Sequence, residues 1–207
     1  MRLLLAALAL VASTAVAPAA VIDLNNNVLA ATGVNPNDGV RTVVGTGAIS
    51  LPTFDVLADV FRFDLAAFGV SGPLEFANAT AAGLTGSTAN MIVLQDSDND
   101  ANPATPFNAG TAANLIAAAL DLDGPGFFVY FNQTLNINRL VFSTNLNLNT
   151  ADLQILAAIQ SPTGADAIAA LPTFSAANVA AVPLPGSLPL LLAGLCGLRA
   201  LRRRARA

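Results

Sequence analysis

The chain has 207 residues, 54% of them apolar, and its nine basic residues are all arginine, with no lysine and no histidine. That excludes Ser-His-Asp and Cys-His catalysis, histidine zinc sites, and lysine-based Schiff bases or isopeptide crosslinks. Five arginines crowd the last nine residues, whereas thirteen acids face only Arg41, Arg62 and Arg139 between the ends, leaving about −10 there and disfavouring nucleic acid as a partner.

In chain order, Met1-Arg2 is followed by the apolar run Leu3–Val11, which is too short to span a bilayer. Small residues fill 12–20, and Ala17-Pro18-Ala19 offers an A-x-A cleavage site. The pattern predicts a Sec-type signal peptide over 1–19, removed by signal peptidase. No cysteine follows it, so no lipoprotein is expected.

The body, 20–181, is about 160 residues, enough for one domain with its own core. It has no cysteine and therefore no disulfide, although export would take it out of the reducing cytosol. Val60–Leu65 alternates, with Phe61, Phe63 and Leu65 on one face. Gly126–Phe131 is apolar on both faces, as a central strand between two layers should be. Asn138–Thr144 follows it as a hairpin partner, Asn145–Asn149 alternates again, and Asp152–Ile155 opens another strand.

Two segments read as helices. Asn108–Leu120 is alanine-rich behind a polar cap, and Thr163–Leu171 ends before Pro172. The expected fold is mainly β: a β-sandwich-like ectodomain with one or two short helices, between an N-terminal signal helix and a C-terminal transmembrane helix. Leu-Pro-Thr-Phe occurs at 51–54 and again at 171–174; with no flanking similarity it reads as coincidence rather than a repeat.

Sites are sparse. Glu75 is the sole glutamate, so a carboxylate-pair glycosidase would have to run largely on aspartates, and no enzyme activity is expected. The run Asp96-Ser97-Asp98-Asn99-Asp100 makes Asp96, Asp98 and Asp100 candidate calcium ligands, since alternating acids in a turn can aim oxygens at one hard cation. Ala101 and Phe107 stand where a calcium loop wants glycine and a bidentate glutamate, so further ligands are needed, with Asp121 and Asp123 as candidates. The competing reading is a solvated acidic turn with no cofactor. Asn78-Ala79-Thr80 and Asn132-Gln133-Thr134 fit the glycosylation sequon, a match to which no function is attached.

The C-terminal stretch has three parts. Val182-Pro183-Leu184-Pro185-Gly186 cannot be helix or central strand and stays extended. Residues 187–201 form a short apolar helix of roughly 22 Å, marginal for a ~30 Å hydrocarbon core. Arg199, Arg202, Arg203, Arg204 and Arg206 hold the end at 199–207 in the cytoplasm, with the body outside. Cys196 sits within the apolar helix as a small hydrophobe.

Motif, apolar segment and arginine cluster in this order resemble the PEP-CTERM family of sorting signals, in the variant that reads Val-Pro-Leu-Pro-Ala. Val182 to Pro185 match, and Gly186 replaces the final alanine. The resemblance covers residues 182–207. It implies recognition by exosortase, a membrane-embedded cysteine transpeptidase, with cleavage near the motif and release or transfer of the body. The stretch from Asn90 to Asn149 is also similar to ectodomains carried on such tails, which implies no activity.

The expectation is an exported, non-enzymatic surface or extracellular-matrix protein, held briefly in the inner membrane and then linked to exopolysaccharide or biofilm. The alternatives are a calcium- or carbohydrate-binding module on the same anchor, and an ordinary tail anchor that is never cut.

Overall fold

Seven consecutive residues, Gly126–Asn132, are all buried, and this strand organises the molecule. The computed structural model describes residues 19–32 and 38–182. Among them are ten strands: β1 (Val21–Leu24), β2 (Val43–Val44), β3 (Ile49–Leu51), β4 (Val60–Phe63), β5 (Phe76–Ala79), β6 (Met91–Leu94), β7 (Gly126–Asn132), β8 (Ile137–Ser143), β9 (Leu153–Thr163) and β10 (Val179–Ala181). Three α-helices join them, α1 (Val28–Thr32), α2 (Ala109–Ala119) and α3 (Gly164–Ala170), together with short 3-10 turns. The described fold is mainly β, in two sheets.

The larger sheet runs β2-β9-β8-β7-β6-β5, with β3 also paired to β9. The expected hairpin is present as the antiparallel pair β7–β8, with Phe127 opposite Phe142 and Val129 opposite Leu140. The smaller sheet has β4 at its centre and β1 and β10 as edges, both parallel to it.

Side-chain alternation explains the layering. Phe127, Val129 and Phe131 of β7 join Met91 and Val93 of β6 in one core, which they share with Leu24, Phe61 and Phe63 of the small sheet. Phe128 and Tyr130, with Ile92 and Leu94, face the opposite way and pack against Ala109, Ala112, Ala113 and Ile116 of α2. The large sheet is thus the middle layer, covered by the small sheet on one side and a helix on the other. Both faces being dry, β6 and β7 read as continuous apolar runs.

In β9 the parity shifts: Leu153 and Ile155 belong to the helix-side core, while Leu156, Ala157 and Ile159 belong to the other. The cause is a bulge. Leu140 pairs with Ala157 and Val141 with Ile155, which leaves Leu156 as an extra residue.

Helix α2 begins where its cap predicts, with the Asn108 side chain accepting from the N–H groups of Gly110 and Thr111. Helix α3 stops at Ala170, before Pro172. One expectation needs correction: Asn145–Asn149 is not a strand. Asn145 Oδ1 accepts from Asn147 N–H, a local side-chain turn that replaces ladder pairing. Only Leu146 of this stretch enters a core, where it lies over Gly126. A Cβ on Gly126 would stand 2.4 Å from Leu146 Cδ1 and 2.6 Å from the Asn90 carbonyl oxygen.

The two Leu-Pro-Thr-Phe segments differ locally, since Leu51 ends β3 while Leu171–Thr173 is a 3-10 turn. Their phenylalanines nevertheless meet, with Phe54 and Phe174 stacked at 5.6 Å.

Candidate functional site

The tail leaves the domain at β10. Three residues of β10 pair with β4, and the N–H of Val182 extends that ladder by donating to the Phe63 carbonyl at 2.7 Å. Pro183 has no N–H to continue it. Among the described residues the ladder therefore reaches the first residue of the Val-Pro-Leu-Pro-Gly segment. Residues 183–186, the apolar segment and the terminal arginines lie outside the described residues, as does the leader up to residue 18. Among the described residues no helix is long and apolar enough to cross a membrane.

Asn178 fastens this exit. It is buried, and its Nδ2 donates to the carbonyls of Val56 and Asp59 at 2.7 and 3.0 Å. Its Oδ1 accepts from Ser175 N–H in a capping box at the 3-10 turn before β10. Beside the exit a depression of about 400 Å³ is lined by Asp64, Leu65, Val70, Pro73, Ala181 and Val182.

A smaller one, of about 230 Å³, touches Val182, Asp23 and Arg62. There Arg62 grips Asp23 with two bonds, Nε to Oδ1 at 2.5 Å and Nη2 to Oδ2 at 2.8 Å. The hydrogen bond from Arg62 holds the Asp23 carboxyl below the usual carboxylate range.

The three carboxylates of the acidic turn each accept donors from the protein. Asp96 Oδ2 accepts from Ala81 N–H at 2.7 Å. Asp98 Oδ1 accepts from the N–H groups of Asp100 and Ala101, and the Asp100 N–H above all holds its carboxyl below the ordinary value. Asp100 takes Asn102 N–H on Oδ1 and the Thr105 hydroxyl on Oδ2. Asp123 accepts from Asn145 Nδ2 at 2.7 Å. Among the described residues no three of His, Cys, Asp and Glu gather closely enough to hold a metal ion.

Ala101, standing where a calcium loop places glycine, adopts φ +53° all the same. N–H and hydroxyl donors of the protein thus engage all three carboxylates of the turn. Calcium at millimolar concentration, followed by EDTA, is expected to leave the melting temperature unchanged in differential scanning calorimetry. A rise of several degrees that EDTA reverses would restore the cation reading.

Both sequon asparagines are engaged inside the fold. Asn78 Nδ2 donates to the carbonyls of Leu171 and Phe174, and Asn132 Nδ2 to the Tyr130 hydroxyl.

Sequence reasoning passed over Asp59, Arg41 and Asn178. Arg41 ties three segments together, donating to the carbonyls of Ala151, Gly110 and Asn149 and to Asn114 Oδ1. Burial pushes its guanidinium down, against the pull of Asp152. For Asn178 a signal existed, in the Ser175-x-x-Asn178 spacing of a capping box.

No known protein family, curated protein or solved structure matches the chain.

Proposed function

We propose that the chain is an exported, non-enzymatic surface or extracellular-matrix protein. Residues 182–207 act as its sorting signal for an exosortase-type transpeptidase. Its ectodomain is a β-sandwich-like body carried between a signal helix and a transmembrane helix, and its destination is the exopolysaccharide or biofilm layer. The observation that carries this reading is the coincidence of the last ladder bond among the described residues, at Val182, with the first residue of the motif. Every described strand and helix lies before Pro183, so cleavage there spares all of them.

Intact mass spectrometry of protein recovered from native cells and medium is the test. A chain beginning at Ala20 and ending within 182–186 is expected. A mass that keeps the terminal arginines would make residues 187–207 an ordinary membrane anchor instead.

A further inference from the structure

Asp59 is a buried carboxylate just before β4, only 9% exposed. Both of its oxygens accept backbone N–H groups, Oδ1 from Ala20 at 2.7 Å and Oδ2 from Asp55 at 2.8 Å. The ion pair between described residues joins Arg62 to Asp23, and none of them brings an arginine to Asp59. A carboxylate removed from water without a cation is costly, and backbone donors offset only part of that cost.

Ala20 is fixed on both sides. Its N–H goes to Asp59, and its carbonyl accepts from Val60 N–H at 2.9 Å. The chain then enters β1, with Val21 in register with Val60.

We propose that Asp59 is the binding site for the α-ammonium group created when the leader is cut off. The inference rests on the signal-peptide reading, which puts cleavage between Ala19 and Ala20. Hydrolysis breaks the C–N bond between these residues. Water supplies the second oxygen of the Ala19 carboxylate and the two protons that turn the Ala20 N–H into –NH3+. With an α-amino pKa of about 8, that group is charged at neutral pH.

The new cation arises on the atom already 2.7 Å from Asp59 Oδ1. A hydrogen bond from a neutral amide to the carboxylate becomes an ion pair without movement of the chain. Processing thereby supplies a counter-ion where no described arginine reaches Asp59, and pins the edge strand β1 against β4. The mature chain is more stable than the precursor by that interaction.

The composition offers a clean readout. With no lysine in the chain, the α-amino group is its only primary amine. The full chain and its Asp59→Asn variant are produced through a Sec-competent host, and the N-terminus is read by mass. Each is then treated at neutral pH with a limiting amine acetylating reagent, and acetylation is followed by intact mass. Pairing that raises the amine pKa by one unit makes wild-type acetylation about tenfold slower than that of Asp59→Asn. Wild-type protein acetylated in urea and refolded is expected to melt several degrees below the untreated protein, a comparison that stands even if Asp59→Asn folds poorly.

An N-terminus at Ala20 with equal acetylation rates, or with an unchanged melting temperature after acetylation, overturns the ion pair and leaves the export reading intact. An N-terminus elsewhere overturns both.

Discussion

Phe127→Ala is expected to lower stability by about 3–5 kcal/mol. Phe127 is fully buried in β7 and lies where the two sheets meet. Its ring centroid is 4.2 Å from Phe63 of the small sheet, 5.2 Å from Phe68 and 5.5 Å from Phe142 of β8. Truncation removes its own transfer free energy and leaves a cavity bounded by three rings whose backbones belong to different segments. Those segments cannot collapse together into the gap.

Against a total of about 5–15 kcal/mol, that loss is a large fraction. Urea unfolding should show a lower midpoint with an unchanged slope, as a folded state of the same compactness requires. Leu57→Ala serves as the control, because Leu57 is 89% exposed and its loss is expected to stay within about 0.5 kcal/mol. A Phe127→Ala effect below 1 kcal/mol would mean that the small sheet is not held to the large one through this ring.

The elements that could be read from the sequence are those whose cause is local. Asn108 caps α2 with its own side chain, and Pro172 closes the way for α3. β7 and β8 are seven residues each, with their partner one short turn away. The strands that escaped notice are short and find distant partners. β2 has two residues and meets β9 more than a hundred positions later; β10 has three and returns to β4.

Six of the eight pairings between described strands are parallel. A parallel partner is reached by a crossover, so no turn motif announces it. β6 is a four-residue apolar run, Met91–Leu94, and such a run does not declare its type by periodicity. Asn145–Asn149 failed for the opposite reason, since its alternation of asparagine and leucine imitates a strand while the Asn145 side chain closes a turn.

The sites follow the same division. The motif at 182–186 is contiguous and visible in the sequence, whereas Asp59 acquires its meaning only when folding brings residue 20 to it.

Ending the chain after Val182 is expected to move essentially all of the protein from the membrane fraction to the medium, without changing its stability. The cut is best placed after Val182 rather than before it, because the Val182 N–H still donates to Phe63 and keeps the end of β10 paired. The hydrogen bonds between described residues around the exit, including those of Asn178, are all retained by the truncation. The melting temperature should therefore match that of the processed protein, and a fall would mean that the tail also packs against the body.

Replacing Arg199, Arg202, Arg203, Arg204 and Arg206 with glutamine separates holding from recognition, because it leaves the motif and residues 187–198 unchanged. Each arginine at a bilayer centre costs about 2.5–3.5 kcal/mol, so five of them oppose passage by an amount on the order of 10 kcal/mol. Without them the tail loses its stop, and the chain is expected in the medium at its uncut mass. Retention at the surface at the processed mass in both variants would remove residues 183–207 from any part in sorting, and the proposed function with them.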